Sequence, residues 1–264
     1  MTYMTDNWKD SDCSVKPVVD RHLSTQNEYD FKYIHDTVYS LAQSEHNLAP
    51  QVREALNVIE EAVDKYGQGV LSLAFNGGKD CTVLLHLVIA ALYHRLQTQN
   101  IKPIQSVYVT CRNPFPEVDD FVEECVKRYR LESIRVPAPM RLALQQFIDT
   151  VKVKPEAILV GIRRSDPYAE NLTHFDPTDE GWPSFMRVHP IIDWSYQNVW
   201  EFLLLLGIPY CELYDRGYTS LGGMDNTFPN PELVNPDVPS GFNPAYMLTD
   251  EQHERCGRMN STKK

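Results

Sequence analysis

The stretch Leu71–Leu85, LSLAFNGGKDCTVLL, joins two apolar runs through a polar turn, NGGKD, at residues 76–80. The first run, from Val70 to Phe75, is short and continuous, as expected for a strand that is buried on both faces. The second run repeats its apolar residues with a helical period as far as about Gln97. The stretch therefore predicts a strand, a tight glycine turn and a helix.

Such a turn directs free backbone N–H groups and the positive end of a helix toward one point, which suits a phosphate. Two other interpretations remain open on these residues alone. Asn-Gly between apolar runs is also a hairpin signal, and a strand–helix turn can be purely structural. The known glycine fingerprints do not fit, because Leu73 and Asp80 stand where a Walker A loop needs Gly and Ser or Thr, and no GxGxxG occurs.

The overall composition suggests one large α/β domain. The chain has 264 residues, of which 42% are apolar and 23% charged. A net charge of −11 argues against nucleic acid as a partner, because phosphate backbones require a basic face, but it leaves room for a small anionic substrate. The polar N-terminus predicts no secretory signal, and runs such as Phe202–Leu206 are too short to span a membrane.

The cysteines are scattered along the chain. They form no CxxC pair and no metal-ligand spacing, and they stand at positions 13, 81, 111, 125, 211 and 256. In a chain of this length, this pattern suggests free thiols in a reducing compartment. We therefore expect a cytoplasmic protein.

Strand and helix patterns alternate after a polar arm predicted at residues 1–28. Two helices come first, one from about Phe31 to Leu41 and one from about Pro50 to Gly67. The predicted strands are 70–75, 107–110, 133–136 and 157–162, and the helices after the first three are 79–97, one from Pro116, and 141–151. The alternation predicts a Rossmann-like, twisted, mostly parallel sheet with helices on both faces, in a single domain at 29–264 with a helical N-terminal addition.

The second half of the chain is less regular. Tyr168–Arg187 is predicted to be an excursion with little regular structure, of a kind that often forms a functional lid. Ser195 is predicted to cap a helix that runs to Leu206 and ends at Gly207. Residues 221–246 are rich in Gly, Pro and Asn, which predicts a wrapped C-terminal tail.

Sheets of this type bind ligands beyond the carboxyl ends of their strands, where the strand order switches. The segment GIRRSDP at 161–167 places two arginines and an aspartate after the fourth strand, where they suit polyphosphate and a divalent cation. A solvated surface loop is the alternative. In the excursion, Asp179 and Trp182 suit a planar heterocycle, or they pack the excursion onto the domain.

Several motifs, read together, resemble those of a known family. The turn resembles the SGGKDS loop of the PP-loop group of ATP pyrophosphatases, with Asn76 in place of serine. GIRR at 161–164 and HPIIDW at 189–194 also fit that group. The longer form FNGGKDCT at 75–82, CELYDRGYTSLG at 211–222 and ERCGR at 254–258 resemble the eukaryotic-type FAD synthetases within it. The resemblance covers about residues 70–260 and implies an adenine nucleotide alpha-hydrolase-like fold.

The ERCGR segment departs from that family's ERAGR ending at Cys256. PAPS reductases, in the same group, use a cysteine near the C-terminus in an ECGLH-like tail. Here Arg258 follows Cys256-Gly257 and no histidine does. A PAPS reductase-like thiol oxidoreductase is one alternative function, and a non-catalytic nucleotide-binding module is another.

The resemblance implies that AMP is transferred from ATP to FMN, giving FAD and pyrophosphate, by in-line attack of the FMN phosphate on the α-phosphorus with Mg²⁺. It implies apo-flavoproteins that receive FAD as further partners. The implied catalytic residues are Asn76, Lys79, Asp80, Arg163 and Asp166, with Asp80 and Asp166 at magnesium.

The resemblance also implies residues that bind the two substrates. For ATP these are Ala74, Phe75, Asn76, Gly77, Gly78, Lys79, Tyr108, Thr110, Gly161, Arg163 and Arg164. The N–H groups of Gly77, Gly78 and Lys79 would cradle the leaving phosphates, and one of the two arginines could be merely structural. For the flavin they are Asp179, Trp182, Arg255 and Arg258.

Overall fold

A computed structural model describes residues 30–98 and 101–259, so the polar arm expected at 1–28 lies outside the described residues. The α-helices are α1 (Phe31–Gln43), α2 (Ala49–Tyr66), α3 (Lys79–Leu96), α4 (Pro116–Arg128), α5 (Met140–Thr150) and α6 (Tyr196–Leu205). The strands are β1 (Leu71–Ala74), β2 (Ile104–Val109), β3 (Leu131–Val136), β4 (Ala157–Val160), β5 (Phe175–Pro177) and β6 (Met186–Val188). Short 3₁₀ turns lie at Gln68–Val70, Glu212–Arg216, Pro231–Leu233, Ala245–Met247 and Glu251–His253.

The strands form one sheet in the order β3-β2-β1-β4-β6-β5, and every pairing is parallel except that of β5 with β6. One face is covered by a core that includes residues of α1 to α4 and α6. The other face packs against α5 through Ala143, Phe147 and Ile148. The predicted sheet, mostly parallel with helices on both faces, is confirmed.

Helix α3 lies at the centre of the larger core. All residues from Cys81 to Leu92 are buried, as expected for a helix that is apolar around its whole circumference. The predicted helical addition, α1 and α2, packs against α3 and supplies the neighbours that such a helix requires. This packing fixes the position at which α3 begins, next to the end of β1.

The strand order switches between β1 and β4. From β1 the chain moves outward to β2 and β3, and after α5 it returns to pair β4 with the other side of β1. Loops that leave the carboxyl ends of β1 and β4 therefore diverge around a common crevice, where open α/β sheets bind their ligands.

Two short strands were not predicted, and the start of β2 was predicted three residues too late. The excursion at 168–187 contains β5 and most of β6, which are three residues each and too short to show alternation. Strand β2 begins at Ile104 and not at residue 107. Polar Gln105 and Ser106 interrupt its apolar pattern, but Gln105 Nε2 donates a 2.7 Å hydrogen bond to Ser72 Oγ on β1. That bond makes a polar residue compatible with a central strand.

The last third of the described chain carries the helix and the tail that were predicted. Ser195 and Asn198 form a reciprocal capping box at the start of α6. After α6, turns and short 3₁₀ segments wrap over the domain and bring residues 254–258 back to the carboxyl end of the sheet. Within the described ranges, no helix combines the length and the apolar character needed to cross a membrane.

Candidate active site

The loop after β1 is held by its own side chains. Gly77 has a φ of +74°, and a Cβ there would lie 2.9 Å from Val122 Cγ2 of α4, so glycine is required. Asn76 Oδ1 accepts hydrogen bonds from the Gly78 N–H at 2.9 Å and from Cys81 Sγ at 3.0 Å. Burial raises the pKa of the Cys81 thiol to about 12, so this cysteine serves as a neutral donor.

The loop amides are already bonded in this structure. Gly78 N–H donates to Asn76, and Lys79 N–H donates a 2.9 Å hydrogen bond to the buried hydroxyl of Tyr214. Two of the three N–H groups that were predicted to cradle phosphate therefore have acceptors within the protein. Ala74 is the last residue of β1, and Phe75 follows it directly and donates its N–H to Val107 O.

The loop after β4 begins with a close approach between two backbones. A Cβ on Gly161 would lie 3.0 Å from the Cys81 backbone nitrogen and 3.1 Å from the Asp80 carbonyl carbon. Only glycine lets β4 end directly against the first turn of α3. The distance between the two loops of the candidate site thus depends on this glycine.

We expect Gly161→Ala to lower the free energy of unfolding by about 1–3 kcal/mol, because a methyl group pressed against backbone forces the strand and the helix apart. Gly69→Ala is the matched control, since a Cβ there meets nothing within 4 Å, and its effect should stay within about 0.5 kcal/mol. Urea unfolding of both variants provides the measurement. Equal stability of the two variants would contradict the close approach.

Four charged side chains meet between the two loops and the tail. Lys79 is 2% exposed, Arg163 0% and Glu254 8%. Lys79 Nζ lies 2.9 Å from Asp80 Oδ2, and Arg163 Nε lies 2.7 Å from Asp80 Oδ1. Glu254 bridges the same two cations, with one carboxylate oxygen on Lys79 Nζ and the other on Arg163 Nη2. We call these four residues the charge cluster.

Mutual pairing keeps Lys79 and Asp80 ionised. Burial alone would lower the pKa of Lys79, but the carboxylates of Asp80 and Glu254 outweigh it and hold that pKa above its usual value. Burial likewise opposes ionisation of Asp80, yet Lys79 and Arg163 hold the Asp80 pKa below its usual value. Removing one member would leave an opposite charge buried without compensation.

Asp166 lies beside the charge cluster, on the loop after β4. Its Oδ2 accepts a 3.0 Å hydrogen bond from the Arg163 N–H, and its Oδ1 lies 3.8 Å from Arg255 Nη1 of the tail. Burial raises the pKa of Asp166, and the negative charge of Asp80 adds to that increase. The Arg255–Asp166 pair is thus a second contact between the tail and the loop after β4, in addition to the pair of Glu254 with Arg163.

A magnesium ion suits only one of the two predicted carboxylates. Both oxygens of Asp80 face buried cations, whereas the one cation that the described residues bring near Asp166 Oδ1 is Arg255, 3.8 Å away. In the described ranges, no group of three or more His, Cys, Asp or Glu side chains is arranged to hold a metal. Mg²⁺ is commonly bound by one or two carboxylates together with substrate phosphates, and Asp166 fits that arrangement.

Arg164 points to another part of the molecule than its neighbour Arg163. Its Nε lies 2.5 Å from Asp193 Oδ1, and its Nη1 donates to the backbone carbonyls of Glu170 and Leu172, each at 3.0 Å. Its side chain is 42% exposed. These contacts fasten the start of the excursion to the segment before α6.

Tyr108 and Thr110 lie at the carboxyl end of β2, next to β1. The hydroxyl of Tyr108 donates a 2.9 Å hydrogen bond to Asp119 of α4, and the guanidinium of Arg135 lies 5.3 Å from the Tyr108 ring. Thr110 is buried, and its N–H donates to Val136 O. Their side chains and backbone form the edge of the crevice beside the loop after β1.

The residues predicted at the flavin lie in two places. Asp179 is paired with Arg187 of β6 at 3.4 Å, and Trp182 follows it in a turn and is 38% exposed. Arg258 is on the tail, where its Nη1 donates to Leu221 O at 2.8 Å. Burial lowers the pKa of Arg258, and nearby Arg255 lowers it further.

Two guanidinium groups of the candidate site keep buried N–H donors that are unused. Arg163 Nη1 and Arg258 Nε have no hydrogen-bond partner among the described residues. Buried N–H groups without an acceptor are rare and call for a ligand, a water or an ion. An anion with several oxygens, such as a phosphate chain, would supply acceptors to both.

Sequence reasoning gave no role to Glu254 or Tyr214, although both stand inside quoted motifs. Glu254 is separated from Lys79 by 175 residues and Tyr214 by 135. The only signal was their place within ERCGR and CELYDRGYTSLG, because a buried carboxylate and a buried hydroxyl cannot be told from surface residues without a fold.

Comparison with known proteins gives a consistent result. The model of the phosphoadenosine phosphosulfate reductase domain family matches residues 70–151 and 142–229. A probable FAD synthase of Schizosaccharomyces pombe is 47% identical over 210 residues, which is 78% of each chain. A probable FAD synthase of Caenorhabditis elegans is 40% identical over 215 residues, and the match covers 80% of this chain but 40% of that longer protein.

The fold also matches a solved structure. Candida glabrata FMN adenylyltransferase, crystallised with FMN and the ATP analogue AMPCPP, superposes with a TM-score of 0.77 and 27% sequence identity. The match covers 86% of this chain and 98% of that one.

Proposed function

The chain belongs to the FAD synthase family, which carries the phosphoadenosine phosphosulfate reductase domain, and we propose that it transfers AMP from ATP to FMN, giving FAD and pyrophosphate. The observation that carries this proposal is the meeting of Lys79, Asp80, Arg163 and Asp166 at the switch between β1 and β4. Family membership selects the reaction, and the crevice offers a triphosphate two cations, Lys79 and Arg163.

In this reaction an oxygen of the FMN phosphate forms a bond to the α-phosphorus of ATP. The bond from that phosphorus to the oxygen bridging the α- and β-phosphates breaks, and pyrophosphate leaves. Such chemistry depends on positioning and on charge neutralisation, so no protein nucleophile is required. Mg²⁺ would neutralise phosphate charge when bound, and Asp166 would hold it.

The described residues divide into those near ATP and those near the flavin. Arg163 offers its free Nη1 donor to the phosphates, while Lys79 adds positive charge at the start of α3. Arg258 offers its free Nε donor to the FMN phosphate from the tail. Asp179 and Trp182 are placed on the excursion, where an exposed acid and an indole suit a flavin ring.

Arg164 and Asn76 have structural roles in this proposal. Arg164 fastens the excursion through Asp193 and two carbonyls, so it supports the flavin side and does not touch phosphate. Asn76 shapes the loop by accepting from Gly78 and Cys81. A cytoplasmic location and delivery of FAD to apo-flavoproteins stay predictions from the sequence.

The deciding experiment incubates the protein with ATP, Mg²⁺ and FMN and follows both flavin fluorescence and pyrophosphate. We expect flavin fluorescence to fall, because the adenine stacks on the flavin in FAD. One pyrophosphate should appear for each FAD that is formed. Mixtures without ATP, or with EDTA, are the controls. Unchanged fluorescence, with thioredoxin-dependent release of sulfite from PAPS instead, would overturn the proposal.

A further inference from the structure

Glu254 joins the tail to the loops after β1 and β4. Its two carboxylate oxygens take different partners, Lys79 Nζ and Arg163 Nη2. Each cation also contacts Asp80, so the two carboxylates and the two cations alternate around a closed ring. A side chain shorter by one methylene could not reach both cations from the same backbone position.

The backbone of Glu254 is held firmly. Its carbonyl oxygen accepts a 2.6 Å hydrogen bond from Thr219 Oγ1, and Asn230 Nδ2 donates to that Thr219 oxygen at 2.9 Å. Asn230 Nδ2 also donates to the carbonyl of His253 at 2.8 Å. Thr219 and Asn230 are themselves buried. Glu254 is therefore a fixed bridge and not a mobile tail residue that happens to touch the cations.

The bridge changes the charge that a phosphate would meet. Lys79 and Arg163 contribute two positive charges, and Asp80 with Glu254 contributes two negative charges, so the charge cluster is neutral as a whole. In a buried setting, charges act on a neighbouring ligand with little screening by water. Without Glu254, the same two cations would face the phosphates with a net charge of +1.

We propose that Glu254 is a positioning residue of the adenylyl transfer, with two effects on one pair of cations. It sets where the Lys79 ammonium and the Arg163 guanidinium stand, and its charge limits how tightly the crevice holds pyrophosphate, which must leave after each turnover. This inference rests on the proposed function, since pyrophosphate is the leaving group of that reaction.

Two substitutions separate the charge of Glu254 from its reach. Glu254→Gln keeps the side-chain length but loses the charge, and its amide oxygen can accept from only one of the two cations. Magnesium pyrophosphate should therefore bind about tenfold more tightly, and turnover should fall because the product leaves slowly. Glu254→Asp keeps the charge and loses the reach. Its affinity for pyrophosphate should stay within about twofold, while turnover falls on the order of tenfold because the cations are misplaced.

Calorimetric titration with magnesium pyrophosphate measures the affinity, and initial rates of FAD formation measure turnover. Glu251→Gln is the matched control: this carboxylate is three residues away, accepts the Tyr196 N–H at 2.9 Å and lies outside the charge cluster. The affinity of Glu251→Gln for magnesium pyrophosphate should equal that of the parent protein.

Three outcomes would overturn the inference. Unchanged pyrophosphate affinity in Glu254→Gln would show that Glu254 is only structural. Equally increased affinity in the Gln and Asp variants would show that Glu254 merely occupies the place of a phosphate and is displaced by it. If Glu254→Gln does not fold, Glu254→Asp decides. An increased affinity of Glu254→Asp for pyrophosphate would overturn the inference, whereas an unchanged affinity with lower turnover would support it.

The titration does not depend on catalysis, so it separates this inference from the proposed function. If the parent protein makes no FAD, the proposed function fails, while the comparison of pyrophosphate affinities still reports whether Glu254 controls the charge of the crevice. If the parent protein makes FAD and Glu254→Gln binds pyrophosphate as the parent does, only the inference fails.

Discussion

Arg163→Met should lower the free energy of unfolding by about 3–5 kcal/mol, because it leaves two largely buried carboxylates without their shared cation. Asp80 and Glu254 both contact the Arg163 guanidinium, which is fully buried. The methionine fills a similar volume, so the loss reports charge more than packing. Synthesis of FAD should fall below detection, since the same guanidinium offers a free donor to the phosphates.

Arg164→Met is the matched control for that variant. Arg164 is the next residue and also forms an ion pair, but its side chain is 42% exposed, and exposed pairs contribute about 0–1 kcal/mol. Urea unfolding of both variants measures the contrast. Equal losses of stability in the two variants would show that the buried ion pairs of Arg163 contribute no more to stability than the exposed ion pair of Arg164.

The Arg163→Met variant should also respond differently to pH. In the parent protein, Lys79 and Arg163 hold the pKa of Asp80 below its usual value. The ionised Asp80 therefore stabilises the folded protein above its usual pKa, and this stabilisation is lost as the pH falls through the lowered pKa. Without Arg163, Lys79 still lowers the Asp80 pKa but less strongly, so the variant has less of this stability to lose as the pH falls. The difference in stability between parent and variant should therefore shrink on acidification.

Asp166→Asn should lower kcat on the order of 100-fold, a loss typical of a disturbed metal site. The asparagine can still accept the Arg163 N–H, so the loop should keep its shape. Affinity for FMN should change by less than about threefold, because the effect acts through magnesium on the ATP side. Raising the Mg²⁺ concentration should recover part of the activity.

Asp149→Asn on α5 provides the control, because this exposed carboxylate accepts from Gln145 on the same helix, away from the crevice. Steady-state kinetics at several Mg²⁺ concentrations, together with FMN titration, provide the measurement. Equal falls in turnover and in FMN affinity for Asp166→Asn would count against a role through the metal.

Strong local patterns made the phosphate loop predictable. The strand at 71–74, the turn and the helix at 79–96 follow from an apolar run, two glycines and a helical period, all within about 30 residues. The arginines and the aspartate after β4 were predictable because parallel strands place their carboxyl ends at one edge. A role for Gly161 in the site was predicted only from the family resemblance.

The counter-charges were not predictable from local pattern. Glu254 is surrounded by polar residues and resembles a solvated acid until the tail is folded back over Lys79. The different fates of Arg163 and Arg164 also require the fold, because adjacent residues in a loop can face opposite directions. Strands β5 and β6 are held by pairing with β4 and with each other, and their three residues each carry no detectable period.

The long separation between Lys79 and Glu254 has a consequence for biosynthesis. A ribosome adding about 5–20 residues per second needs roughly 10–35 s after Lys79 before Glu254 is made, since 175 residues separate them. During that interval, a nascent chain holds Lys79 and later Arg163 with only one of their two carboxylates. The charge cluster can therefore close only after the tail has been made, as a late step of folding.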